Sequence, residues 1–181
     1  MAEPQTIFDT ALLTRRKDRC AGHACVAVPD FLLTRVSEDI AERLQIVKRT
    51  FPAAACLGAL NGVLARRIRA LPNVGTVVDV EASSRLLAFC GRPRVQADDE
   101  ALPFANGSLD LAVSGLTLQL VNDLPGTLLQ IRRTLKPDGL FLASLLGGET
   151  LKELREAWLI AESEIDGGAS PRVAPFADVR D

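Results

Sequence analysis

The 181-residue chain has no strong excess of either charge, no apolar run of membrane length, a single histidine and only four cysteines. Each shortage excludes something. Its 21 Lys+Arg and 23 Asp+Glu leave a formal net charge of −2, whereas a general nucleic-acid binder concentrates basic residues on one face. No nucleic-acid partner is therefore expected. No apolar run approaches the ~18 residues that span a bilayer, and the N-terminus lacks the apolar stretch of a signal peptide, so no membrane span and a cytoplasmic location are expected. Cys20, Cys25, Cys56 and Cys90 are too scattered for a disulfide framework. Cys56 and Cys90 lie among apolar neighbours and read as small core residues. Cys20, His23 and Cys25 are potential soft ligands close in sequence, but a structural zinc site needs four, and no metal is expected.

What is present is enough for one domain with a real core, burying roughly 70% of the surface of the unfolded chain. Residues 7–21 place Phe8, Leu12 and Leu13 on one side and gather Arg15, Arg16, Lys17 and Arg19. This reads as a surface helix with a solvated basic face or as a lid or docking arm for an anionic ligand or partner. Over residues 31–47, Leu32, Val36, Ile40 and Leu44 recur every fourth residue, an amphipathic helix that Phe51-Pro52 closes.

Strand and helix patterns then alternate. Strands are expected at 53–57, 74–80, 94–97, 109–114 and 140–145, with helices at 63–71, 83–89 and 123–135 between them. Asp123 suits an N-cap and Pro125 a first turn, Lys136-Pro137-Asp138-Gly139 reads as a turn, and Thr150 and Glu153 have capping-box spacing for a last helix. Such alternation gives an α/β fold with a parallel sheet, helices on both faces, and ligands at the carboxyl ends of the strands. Candidate site residues are those just after each strand. Gly58-Ala59-Leu60-Asn61-Gly62 does not match the Gly-x-Gly-x-x-Gly fingerprint of nicotinamide dehydrogenases.

Several of these positions carry a resemblance. Glu81 after the second strand, Asp98 after the third with Leu102-Pro103-Phe104, the run Ser108 to Ser114, and Leu135-Lys136-Pro137-Asp138-Gly139-Leu140-Phe141 resemble class I S-adenosylmethionine (SAM) dependent methyltransferases, including the malonyl-carrier-protein methyltransferases of biotin synthesis. Ile7-Phe8-Asp9, Val121-Asn122-Asp123-Leu124-Pro125, the run Leu146 to Leu151 with Glu153-Leu154-Arg155, and Gly167-Gly168, Ser170-Pro171 and Pro175-Phe176 are similar to the methyltransferase-fold assembly factors of respiratory complex I and their bacterial relatives.

The resemblance implies a Rossmann-like doubly wound sheet of about five parallel strands in the order 3-2-1-4-5. It also implies an N-terminal helical arm at 1–50, a methyltransferase-like core at 51–165 and an irregular tail at 166–181. In this family Glu81 would hold the SAM ribose hydroxyls, with Asp79 as the competing residue. Asp98 would sit at the adenine amino group, with Asp99 as the alternative, and Asp98 to Glu100 also read as a plain solvated turn. Gln119 would face the methionine end, where relatives follow it with Trp and this chain has Leu120.

The family's Asp-x-Gly-x-Gly-x-Gly loop falls on Cys56, Gly58, Leu60 and Gly62. Losing the acid removes roughly 1.5–3 kcal/mol of interaction, and Leu60 either fills the pocket or packs under the loop. Restoring Asp at Cys56 and Gly at Leu60 is expected to rescue binding. Methyl transfer needs chiefly alignment, so no catalytic residue is assigned.

The expectation is therefore a SAM-dependent methyltransferase-like protein with a degenerate cofactor loop, acting on a small-molecule, carrier-bound or protein substrate. The alternatives are a non-catalytic binding or complex I assembly protein, or a protein-arginine hydroxylase. Family members continue past Phe176 with further strands, so the fifth strand is expected to present an edge that a protein partner or a homodimer covers.

Overall fold

A computed structural model describes residues 6–22, 31–165, 167–168, 170 and 172–178. His23 and Cys25 lie outside these. The chain divides into two compact units, Met1–Ser144 and Leu145–Asp181.

The first unit opens with two helices. In α1 (Thr10–Ala21), Asp9 caps the first turn by accepting the Leu12 N–H. In α2 (Phe31–Ile46) the buried stripe is Leu33, Ser37, Ile40, Ala41 and Leu44, whereas Leu32 is exposed. The expected every-fourth-residue row runs 40° ahead of an ideal helix at each step, so the real stripe steps back to Leu33 and includes Ala41.

Five parallel strands follow: β1 (Phe51–Leu57), β2 (Val74–Glu81), β3 (Arg94–Gln96), β4 (Leu109–Gly115) and β5 (Leu135–Ser144). They form one sheet in the order β3-β2-β1-β4-β5, the order the resemblance implied. Between them lie α3 (Val63–Arg69), α4 (Ser84–Leu87) and α5 (Leu124–Thr134). Asp123 caps α5 as expected, its Oδ1 accepting the Gly126 N–H at 2.8 Å.

Alternation along β1 sends successive residues to opposite faces. Ala54 and Cys56 join Leu111, Val113 and the apolar stripes of α2 and α3, while Ala55 and Leu57 join Val80, Ala112 and Ile131 of α5. Burying each of the larger side chains among them, Leu57, Val80, Leu111, Val113 and Ile131, contributes roughly 1.5–3 kcal/mol.

Strand β5 starts earlier than its turn signal suggests. Leu135 already pairs with Leu109, and pairing resumes only at Leu140 opposite Leu111. Lys136-Pro137-Asp138-Gly139 is therefore a bulge inside the strand rather than a turn before it, with Asp138 at φ 63.

The second unit contains α6 (Lys152–Ile165), which begins one residue later than the expected Thr150 cap requires, so Leu151 and not Thr150 precedes the first helical residue. Glu162 in α6 accepts the Ser170 N–H at 2.7 Å and Arg172 Nε at 2.5 Å. Its carboxyl is held at about 2, first by the Ser170 backbone N–H and then by the Arg172 side chain.

Candidate functional site

The carboxyl ends of β1 and β2 meet at one loop. After Leu57 the backbone enters the left-handed region at Gly58 (φ 60), Leu60 (φ 51) and Gly62 (φ 75), and α3 starts directly after Gly62. Glycine is required at the first of these by a neighbour as well as by φ. A Cβ on Gly58 would lie 2.4 Å from Thr117 Oγ1, and that hydroxyl is itself 2.8 Å from Ser114 Oγ. Leu60 adopts positive φ with a side chain attached, a conformation that costs an L-residue about 1–2 kcal/mol.

The loop is tied down from β2. Ala59 donates its N–H to the Val80 carbonyl, and the Leu60 N–H donates to Glu81 Oε2 at 2.9 Å. Glu81 is wholly buried. Its other oxygen, Oε1, accepts the Ser83 N–H at 3.0 Å and the Lys17 ammonium at 2.9 Å. Asp79, two residues earlier, is also wholly buried, but it accepts from Arg69 Nη2 at 2.7 Å and from the Gly91 N–H at 3.0 Å. Burial raises its carboxyl despite Arg69.

Lys17 brings α1 across the strand ends. Thr10, Leu13, Thr14 and Lys17, spaced three and four apart, face a cavity of about 40 Å³ whose other walls include Asp98, Asp99 and Thr117. Next to Lys17, Asp18 Oδ1 accepts the Ser83 hydroxyl at 2.5 Å. At the other end, Asn122 Oδ1 accepts the N–H groups of Ile7 and Phe8, each at 2.8 Å, and its amide donates to the Phe8 carbonyl. The segment preceding α1 is thus held as well as the helix. Arg15, Arg16 and Arg19 are exposed on the outer side.

The two aspartates after β3 differ. Asp98 is exposed, and its Oδ1 accepts the Glu100 N–H at 3.0 Å, closing the turn. Asp99 Oδ1 is buried and finds no hydrogen-bond partner among the described residues. Burial lifts the Asp99 carboxyl to about 6, Glu81, Asp98 and Glu100 adding to the shift and Lys17 opposing it.

Of the seven residues singled out from sequence, Asp98 and Asp99 line the cavity. Glu81 lies behind Lys17, and Leu60 reaches Glu81 through its backbone N–H. Gly58 and Gly62 shape the loop. Gln119 sits in a short 3₁₀ turn, Leu118–Leu120, where its amide nitrogen donates to the Leu116 carbonyl at 2.8 Å; the cavity is walled by Leu120 instead. Cys56, at the family's acidic position, is wholly buried in the α2/α3 core. Burial, and then the charge of Asp79, push its thiol well up.

Lys17, Thr117, Ser83 and Asn122 were not singled out for the site. The signal for Lys17 was its place in line with Thr10 and Leu13 on the inner stripe, obscured by the surrounding arginines.

A doubly wound five-stranded sheet with a glycine loop after β1 and an acidic residue ending β2 is an architecture that class I methyltransferases have, and matches to a family model and to curated relatives show that the chain belongs to that superfamily. A methyltransferase-domain family model matches residues 55–143. The chain is 36% identical over 179 residues to the mitochondrial arginine-hydroxylase NDUFAF5 of Danio rerio, covering 97% of this chain and 56% of that protein. It is 34% identical over 165 residues to the malonyl-[acyl-carrier protein] O-methyltransferase of Methylovorus sp. (strain MP688), covering 83% of this chain and 55% of the relative. A SAM-dependent methyltransferase from Thermotoga maritima superposes with a TM-score of 0.58 at 19% identity, over 83% of this chain and 69% of that one. The chain thus spans about half the length of the curated relatives it matches. No helix among the described residues is long and apolar enough to cross a membrane.

Proposed function

We propose that the chain is a SAM-binding protein of the methyltransferase superfamily whose grip on the cofactor is weakened. The observation that carries this reading is the pair of carboxylates at the strand ends: Glu81, braced by the Leu60 and Ser83 N–H groups, and Asp99, whose buried Oδ1 lacks a donor among the described residues. The first suits ribose hydroxyls and the second an exocyclic amine, both hydrogen-bond donors.

The acceptor set fits a nucleoside; the space with α1 closed does not. Pockets for drug-sized ligands enclose roughly 300–1,000 Å³, against about 40 Å³ here. SAM, when bound, supplies an activated methyl group. The protein's part would be to orient the nucleoside on Glu81 and Asp99 and to exclude water under α1. No side chain is assigned to proton transfer. At the methionine end, Cys56 offers a buried neutral thiol where the family's loop has an acid, so the ammonium group loses a charged acceptor.

The second reading is a binding or complex I assembly protein that has given up the cofactor, favoured by Cys56 and Leu60. Protein-arginine hydroxylation is a separate, enzymatic alternative, drawn from the NDUFAF5 likeness. Under either reading the substrate is a small molecule, a carrier-bound acid or a protein, the compartment is the cytoplasm, and a protein partner or second copy covers the outer edge of β5, which pairs with no other strand among the described residues.

Calorimetric titration with SAM separates the two readings. A dissociation constant below about 100 µM, or ~5.5 kcal/mol of binding free energy, supports the first, and no heat at millimolar ligand leaves the second.

A further inference from the structure

We propose that Lys17 is an internal competitor for the ligand: its ammonium occupies Glu81 and latches α1 over the site, so that a nucleoside gains its ribose acceptor only by displacing this side chain. The proposal rests on the SAM-binding reading for its ligand but not for the latch itself.

Three observations meet here. The Lys17 ammonium lies 2.9 Å from Glu81 Oε1, and the two side chains are only 19% and 0% exposed. Both oxygens of Glu81 are already engaged, by Lys17, Ser83 and Leu60. Two of these donors are backbone N–H groups of the strand-end loops and stay in place, so the one exchangeable donor is the lysine. Third, the cavity beneath α1 holds about 40 Å³, room for water but not for a nucleoside.

The ligand's hydroxyls and the ammonium are both donors aimed at one acceptor, which makes their binding mutually exclusive at that oxygen. A cation is also the stronger donor to a carboxylate. The helix carrying Lys17 has a second anchor at Asp18–Ser83 and a third through Asn122 to residues 7 and 8. Opening therefore hinges at the N-terminal end of α1 if the Asn122 anchor holds, and the Lys17 end swings. Apparent ligand affinity is reduced by the fraction of molecules that are closed.

The test compares the whole chain with Lys17→Met, which keeps an apolar stem but no ammonium, and with Asp18→Ala, which loosens the neighbouring anchor and leaves Glu81 paired. Backbone hydrogen exchange over residues 12–21 is read without ligand, and binding of S-adenosylhomocysteine is read by calorimetry. Removing one charge-assisted bond is expected to speed exchange of α1, and to tighten ligand binding, by about ten- to a hundredfold in Lys17→Met. The sheet amides should lose less protection than those of α1. Asp18→Ala should move both readouts in the same direction by less.

Unchanged exchange in α1 of both variants overturns the latch. Faster exchange with unchanged or weaker ligand binding overturns the competition. Faster exchange with no binding by any of the three proteins at millimolar ligand upholds the latch and sinks the SAM-binding reading instead. Should Lys17→Met fail to fold, Lys17→Gln, which also removes the ammonium, is read in its place by the same two readouts.

Discussion

Lys17 and Glu81, 64 residues apart in sequence, meet at 2.9 Å, and this contact joins the N-terminal helix to the end of the second strand. The carboxylate is fully buried and holds three donors from three different segments. Removing a charged member of such a buried network leaves its partners uncompensated, at a typical cost of about 3–5 kcal/mol. Glu81→Ala should therefore lower unfolding free energy by about 3 kcal/mol in urea denaturation and loosen both α1 and the loop at Leu60. A loss below about 1 kcal/mol, the level of an exposed pair, would contradict this role.

Asp99 predicts a pH dependence of stability. Its carboxyl titrates at about 6 in the folded chain because of burial, against 3.8 as the ordinary value. Below pH 4 it is protonated in both folded and unfolded states. Between about 4 and 6 the folded state retains the proton that the unfolded state releases, so this group's contribution to stability falls as pH rises, by about 2–3 kcal/mol in total, and stays lost above 6. Asp99→Asn should abolish that segment of the stability–pH curve and stabilise the protein at pH 7.

Gly58 and Thr117 give a double-mutant test. An alanine at Gly58 would meet Thr117 Oγ1 at 2.4 Å and would also sit at φ 60. Gly58→Ala should destabilise by about 2–4 kcal/mol, combining left-handed strain and overpacking. Adding Thr117→Ala should recover only part of the packing cost, because the Cβ at position 117 would still lie 2.6 Å from the new methyl group, so a loss above the roughly 1–2 kcal/mol that belongs to the backbone persists.

Cys56 corrects the simplest rescue experiment. The thiol is wholly buried, and the neighbouring carboxylates of Asp79 and Glu81 push it further toward the neutral form. An aspartate there would bury a like charge with no donor assigned to it. Cys56→Asp should cost about 3 kcal/mol or more in stability, and adding Leu60→Gly should not restore it, because Leu60 meets Glu81 through its backbone. Calorimetric melting of the single and double variants checks this.

The same burial predicts native-state reactivity. Cys56 is enclosed and Cys90, raised to about 12 chiefly by desolvation, is nearly so. Both should resist iodoacetamide at pH 8 in folded protein and react on denaturation, since the thiolate is the nucleophile. Mass spectrometry of peptides from labelled protein reads this directly.

Much of the fold was legible because its signals are local. The apolar runs at 53–57 and 109–114, the Asp123 cap and the break at Pro72 each act within a few residues, and the resemblance supplied the strand order. Periodicity located α2 and placed Val36, Ile40 and Leu44 inward but began the row at Leu32 instead of Leu33, since a four-residue repeat drifts around a 3.6-residue helix. The turn chemistry of Lys136 to Gly139 read as a turn before the fifth strand and is a bulge within it, because only the register of β5 against Leu109 places it inside a strand.

By itself the sequence determined that this chain builds a parallel α/β sheet with acidic residues at the tips of its second and third strands. The tertiary structure alone decided what those residues meet: Glu81 already holding Lys17, Asp99 facing a small cavity with an oxygen unmatched among the described residues, and Cys56 turned into the core. The physical reason is that hydrophobic spacing acts over one or two helical turns and specifies which face of an element is buried. A buried carboxylate chooses its partner in space, from whatever distant donor the packing of the whole chain brings within hydrogen-bond reach.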